Sequence, residues 1–335
     1  MWRQYSVPFV SLFLSLMLLS MPAKAAQAPG QARVCVFEPA GKGGELFALT
    51  QAYLQEAASL QYRSYADERI AVEDFKAGQC DGLVISTFRA RQFNPFVGSV
   101  DAFGGLSETR SLKTLFSVLN KPQLAPSLVQ GSYEVAGMLP LGPLYVLVRD
   151  RRINAIGAAA GRKVAVLDWD KSQARLVEGL AAQPVAADVT SYATRFNNGQ
   201  VDIMAAPALL FRRFEVEKGL GSKGAIYRFP LAQLTATILI RRDRFPADFA
   251  SRMRERAPGF VDTAMARISA AEAAVPAQYW QGLGESEREQ YQQILASARE
   301  KLTRDGIYDA RMMAILHRVR CQEQPSGYEC ALGRR

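Results

Sequence analysis

Six residues recur in this chain at one constant offset. Phe75, Gly78, Gln79, Asp81, Arg91 and Phe93 are matched by Phe196, Gly199, Gln200, Asp202, Arg212 and Phe214. Self-similarity at such a spacing means that one supersecondary unit is built twice. The strand openings agree: Arg33-Val34-Cys35-Val36-Phe37-Glu38 and Lys163-Val164-Ala165-Val166-Leu167-Asp168 share a basic residue, a Val-x-Val run, an apolar residue and an acid. In the first copy the pattern predicts a buried strand over 33–38, a glycine-bearing loop over 39–44 and a helix over 45–60. A strand over 61–65, a helix over 67–76 capped by Asp67 and stopped by Gly78, and a strand over 82–87 follow. The second copy opens with a strand over 163–168 and a helix over 172–181. Alternating β and α segments with near-continuous apolar strands call for a parallel sheet covered on both faces. The recurring Gly and Asp read as structural, the glycine ending a helix in the left-handed region and the aspartate starting the next turn.

The fold class is therefore α/β with two similar lobes. Two β-rich runs ending in charged residues, 144–149 and 235–241, are expected as the hinge strands between them. The first lobe then takes 31–143 plus 242–335, and the second 150–235. From 246 to 317 the pattern is a series of helices, with breaks near Pro258-Gly259, Pro276 and 282–284 and with Tyr279, Trp280 and Tyr291 as packing anchors.

A single histidine, His317, narrows the chemistry. Ser-His-Asp or Cys-His catalysis would need it as the base, and a zinc site of several imidazoles is excluded. No cofactor, metal or enzymatic activity is expected. Residues 1–25 have the layout of an export signal: Arg3, an apolar run from Val7 to Met21, then Ala23-Lys24-Ala25 as a small-x-small cleavage site. Cleavage there implies a protein of the periplasm. Loss of Arg3 and Lys24 takes the formal charge from +9 to +7, with basic residues scattered among 32 acidic ones, so nucleic acid is not an expected partner. In an oxidising compartment four cysteines predict disulfides. Cys321 and Cys330 are expected to pair. Cys35 and Cys80 either staple neighbouring strands or remain buried thiols. Loop closure gives roughly 4 kcal/mol for the longer loop and about 2.5 for the shorter.

Ligands of open α/β sheets bind beyond the carboxyl ends of the strands. That rule selects Glu38, Tyr65, Asp67, Ser86, Thr87, Arg89, Arg91, Asp168, Trp169, Asp170 and Arg212. Arg89 stands out because its counterpart in the second copy is Leu210, and a guanidinium can clamp a carboxylate or phosphate. Its alternative is a salt-bridged helix start. Asp168-Trp169-Asp170 would hold a cation, an amine or a sugar, or else form a helix N-cap with a packed tryptophan. Gly41-Lys42-Gly43-Gly44 lacks the Gly-Lys-Ser/Thr ending of a phosphate loop, and Glu73-Asp74 belong to a solvated helix face.

The segments Cys35 to Gly44, Asp67-Glu68-Arg69 and Glu73 to Asp81 resemble a bacterial group of AdeT-like solute-binding proteins, which is itself similar to the TRAP-type (DctP-like) extracytoplasmic receptors. The resemblance implies a two-lobed periplasmic-binding-protein fold, type II-like, that captures a small polar or charged solute. A monomer handing that solute to membrane transporter subunits is the expected assembly. Gly161-Arg162-Lys163-Val164-Ala165-Val166 is similar to the receptors' Gly-Lys-Lys-Ile-Arg-Val segment, in which the arginine grips a ligand carboxylate. Ala165 stands in its place, so a carboxylate would have to be held by Arg89 or Arg91. The second reading is an accessory protein of envelope transport or efflux without a working cleft.

Overall fold

The computed structural model describes residues 1–2, 31–41, 43–55, 60–325 and 327–331. The expected export segment, Met1 and Trp2 apart, and Lys42 lie outside the described residues. The chain divides after Gln31, and the folded unit starts at Ala32.

Its strands, in chain order, are β1 (Ala32–Phe37), β2 (Leu60–Tyr65), β3 (Gly82–Ser86), β4 (Val129–Gln130), β5 (Tyr133–Val148), β6 (Lys163–Leu167), β7 (Gln183–Ala187), β8 (Ile203–Ala206), β9 (Ala225–Arg241) and β10 (Trp280–Gln281). They form one sheet in the order β2-β1-β3-β9-β5-β8-β6-β7, with β4 beside β5 and β10 beside β9. The trios β2-β1-β3 and β8-β6-β7 are each parallel, as the repeat requires. They are the bases of the two lobes. Between them β5 and β9 run antiparallel, so residues 144–149 and 235–241 fall at the ends of much longer strands. The end of β9 pairs with β3 and the end of β5 with β8. In the stretch from Pro140 to Val146 the β5–β9 register shifts three times. Pro140 and Pro143 lack the N–H that a ladder needs, and Gly142 takes φ 95°.

The helices are α1 (Glu45–Leu54), α2 (Glu68–Lys76), α3 (Thr87–Ala90), α4 (Ser111–Leu119), α5 (Lys171–Gly179), α6 (Val189–Asn197), α7 (Glu217–Leu220), α8 (Phe249–Ala273), α9 (Glu285–Arg304), α10 (Ala310–Glu323) and α11 (Tyr328–Ala331). The helix expected over 45–60 stops at Leu54, and 56–59 lie outside the described residues. The repeat is explained by matching bonds. Phe75 and Phe196 are fully buried, and Gly78 and Gly199 each take a positive φ and donate to the carbonyl of that phenylalanine. Asp81 Oδ2 accepts the Arg33 N–H at 2.8 Å, and Asp202 Oδ2 accepts the Lys163 N–H at 3.0 Å. Each aspartate thus pins the start of its lobe's first strand.

One expected break is absent. Helix α8 runs through Pro258 and Gly259 without interruption. Pro258 cannot donate to the Arg254 carbonyl four residues back, and the Asn120 side chain donates to that carbonyl instead, at 2.6 Å. The breaks near Pro276 and 282–284 are present between α8 and α9. Trp280 meets Tyr145 edge-on at 5.0 Å and Tyr291 stacks against Phe229 at 5.4 Å, while Tyr279 is buried near Phe211. Cys35–Cys80 and Cys321–Cys330 are both disulfides, with Cα separations of 5.8 and 5.3 Å. The first ties β1 to the residue before the Asp81 pin. No described helix is long and apolar enough to cross a membrane.

Candidate functional site

The carboxyl ends of β1 and β3 face those of β6 and β8 across a cavity of about 170 Å³. The first lobe supplies Phe37, Phe88 and Phe103, and the second Val164, Ala165, Val166, Leu176, Val189, Leu210 and Phe214, with Leu141 and Leu144 from β5 and Leu231 and Leu234 from β9 between them. Its polar wall residues are Glu68, Ser86, Gln173, Tyr192 and Thr235, and the wall contains no lysine, arginine, aspartate or histidine among the described residues. Most of these polar groups are already engaged. Gln173 accepts the Leu167 N–H at 3.0 Å and donates to Asp170 at 3.1 Å. The Tyr192 hydroxyl donates to the Ala165 carbonyl at 3.2 Å, and burial pushes it up to about 12.

Glu68 is 1% exposed. Its Oε1 accepts the Ser86 N–H at 2.6 Å, and its Oε2 lies 3.4 Å from Arg89 Nε without a hydrogen bond. Burial raises the Glu68 carboxyl above its usual range, while Ser86 and Arg89 pull it down. Below the cavity floor is a chain of buried oxygens. Asp101 accepts the Thr235 N–H at 2.8 Å and lies 2.6 Å from Thr235 Oγ1, which is 2.7 Å from Thr87 Oγ1. Thr87 is in turn 2.7 Å from Thr237 Oγ1. Burial drives Asp101 from 3.8 to about 7, although Thr235 and Arg91 act against it.

Of the expected site residues, Ser86 lines this cavity, and the others are placed around it or elsewhere. Glu38 is buried at the tip of β1 and accepts the N–H groups of Ala40 and Phe47, at 2.9 and 3.0 Å, where α1 begins. Burial raises it and those N–H groups lower it. Gly44 lets the chain pass over this carboxyl, because a Cβ there would lie 2.1 Å from Glu38 Cδ. The Tyr65 hydroxyl donates to Asp74 at 2.6 Å and lies 3.3 Å from the Cys35 sulfur; burial and Asp74 push it up to about 12. Asp67 caps α2 through the Arg69 N–H, at 2.8 Å. Thr87 belongs to the threonine chain under the floor. Asp168 and Arg212 are exposed.

The structure brings the remaining candidates together across the cleft. Arg89, just after β3, stacks over the Trp169 ring at 4.2 Å. Arg91 Nη1 reaches Asp170 Oδ1 at 3.3 Å, with the Asp170 side chain fully buried and that of Arg91 16% exposed. Arg91 Nε also donates to the Gly98 carbonyl at 3.1 Å. Asp170 is the N-cap of α5, accepting from Ser172 N–H at 2.9 Å, so the capping and cleft roles fall on one residue. Both arginines thus join the two lobes through protein atoms. Sequence reasoning missed Glu68, Gln173, Tyr192 and Thr235 as wall residues. The acid beside the Asp67 cap was the one available signal for Glu68.

Residues 55–335 match the family model described as solute-binding protein AdeT 1/2. The chain belongs to the AdeT 1/2 family of solute-binding proteins. Among curated AdeT relatives, the probable solute-binding protein AdeT1 of Acinetobacter baumannii is 43% identical over 301 residues, 89% of this chain and 99% of the relative. The probable solute-binding protein AdeT2 of the same organism is 29% identical over 241 residues, 71% of this chain and all of the relative. The AdeT fold is also that of TRAP periplasmic solute-binding proteins. The one from Desulfovibrio salexigens, solved with bound orotic acid, superposes with a TM-score of 0.70 at 15% identity, covering 87% of this chain and 99% of its own. The one from Shewanella oneidensis, solved with succinate, gives 0.68 at 11% identity, covering 88% and 100%. In this AdeT chain Ala165 is in the cavity wall, so a methyl group stands where the resemblance places a carboxylate-gripping arginine.

Proposed function

We propose that this protein is a periplasmic receptor that closes its two lobes around a small solute and presents the closed form to membrane transporter subunits. The observation that carries the reading is the cavity between the opposed strand ends of the two lobes. Such crevices are where open α/β sheets bind ligands. The irregular stretch of β5 from Pro140 to Val146 is the hinge in this reading, because shifted ladder bonds there can absorb a change of backbone angle. Export through cleavage after Ala25, a monomeric state and freedom from covalent chemistry belong to the same proposal. Closure needs only that the solute prefer the closed state. Family membership and the TRAP-like fold support it, and an open cavity counts against the accessory-protein alternative, which calls for a cleft filled by side chains.

Native mass spectrometry of mature protein taken gently from the periplasm tests this. The expected result is a monomer beginning after Ala25 with added mass that denaturation releases. A protein that is bare as isolated and stays bare with pooled carboxylates, amines, sugars and uncharged aromatics would refute it.

A further inference from the structure

The cavity wall dictates what can fill it. Carbon dominates its surface, and the wall holds no cationic side chain among the described residues. An anionic group entering it would lose its water and meet no lysine, arginine or histidine, which makes burial of the charge strongly unfavourable. The Arg89 guanidinium beside the wall residue Glu68 is committed to that carboxylate on one side and to the Trp169 ring on the other. An ammonium fares little better, because Arg89 already compensates the Glu68 charge. Glu68 adds no acceptor that a ligand can reach, because its Oε2 is buried and ion-paired to Arg89 Nε at 3.4 Å. The volume, about 170 Å³, is in the range in which an apolar cavity of roughly 150 Å³ takes one benzene ring.

We infer that the ligand is an uncharged, mainly apolar molecule with a ring-sized body. This rests on the receptor reading and names its ligand class. In the wall Leu141, Leu176 and Leu210 enclose that body.

The test uses four probes of one shape: benzyl alcohol, toluene, benzoate and benzylammonium. Each is titrated into the mature full chain and followed by ligand-observed NMR. Toluene and benzyl alcohol should bind, with both ions roughly 100-fold weaker because their charge is stripped of water. Leu210→Trp, at a half-buried wall position, should block every probe, and Val189→Trp is the second blocking variant should the first fold poorly. Either ion binding as tightly as benzyl alcohol, and blocked by the tryptophan, overturns the ligand class and leaves the receptor standing. Toluene or benzyl alcohol binding that ignores both tryptophans overturns the inference as well. Failure of all four probes, in a protein that is also isolated empty, removes the receptor reading with it.

Discussion

Raising the pH should weaken the fold through Asp101. This carboxyl is fully buried, is held by the Thr235 N–H and hydroxyl, and is raised from 3.8 to about 7 by loss of water, with Arg91 the charged group opposing the rise. In the unfolded chain it titrates near 3.8. Between those two values the folded protein holds a proton that the unfolded chain has released, so stability falls as pH rises. The contribution is fully present below about pH 4 and is lost as pH rises through 7, ~4 kcal/mol in all. About 2.5 kcal/mol of that change falls between pH 5 and pH 8. Asp101→Asn keeps an acceptor for Thr235 and cannot ionise. Urea unfolding, read by the fluorescence of Trp169 and Trp280, would be run on both proteins at both pH values. Taking the difference cancels other carboxylates, such as Asp188 and Asp309, whose lowered values act in the opposite sense. The variant should gain about 2.5 kcal/mol relative to the parent on going from pH 5 to pH 8. A difference that is the same at both would refute the reasoning.

Three further substitutions probe the fold and the cleft. Asp170→Ala removes the α5 cap and the partner of Arg91, and should lower stability by about 3 kcal/mol. Asp170→Asn keeps the cap, so chemical denaturation should place it about 1 kcal/mol above the alanine variant. Asn120→Ala leaves the Arg254 carbonyl without a donor and should cost about 1–3 kcal/mol in the same assay. With Pro258→Ala present, the restored N–H takes that carbonyl and most of the loss should vanish. Replacing Cys321 and Cys330 by serine opens a loop of sequence separation 9 and should lower the unfolding free energy by about 2.5 kcal/mol. The same change at Cys35 and Cys80, separation 45, should take about 4 kcal/mol.

Local features of this chain were readable from its sequence because their causes are local. Gly78 and Gly199 close helices through bonds only three residues long, and Asp67 and Asp170 cap helices that start at the next residue. The duplicated Asp81 and Asp202 carried the repeat, and with it the two-lobed α/β sheet. The unbroken α8 was not readable, since the donor that compensates Pro258 comes from Asn120, 134 residues before the carbonyl it serves. Nor was the cavity. Leu141, Leu144, Leu176 and Leu234 carry the apolar signature of any core position, and only their meeting across the cleft leaves room between them. Arg89 was legible as an unmatched residue at a strand end, and Arg91 as a candidate beside it that recurs as Arg212. Their partners were not, because Glu68, Trp169 and Asp170 come from other elements, two of them on the opposite lobe.

The contacts of those two arginines divide the labour of closure. Ion pairs and ring stacking are directional, whereas the expulsion of water from carbon surfaces has almost no preferred geometry. With Arg91 on Asp170 and Arg89 on Trp169, the protein itself fixes how the lobes meet, and the solute is left to supply affinity. A receptor built this way tolerates variation in the shape of its cargo while presenting one constant outer surface. Its selectivity is then exercised mainly against charge, and its heat capacity should drop on loading as apolar surface leaves water.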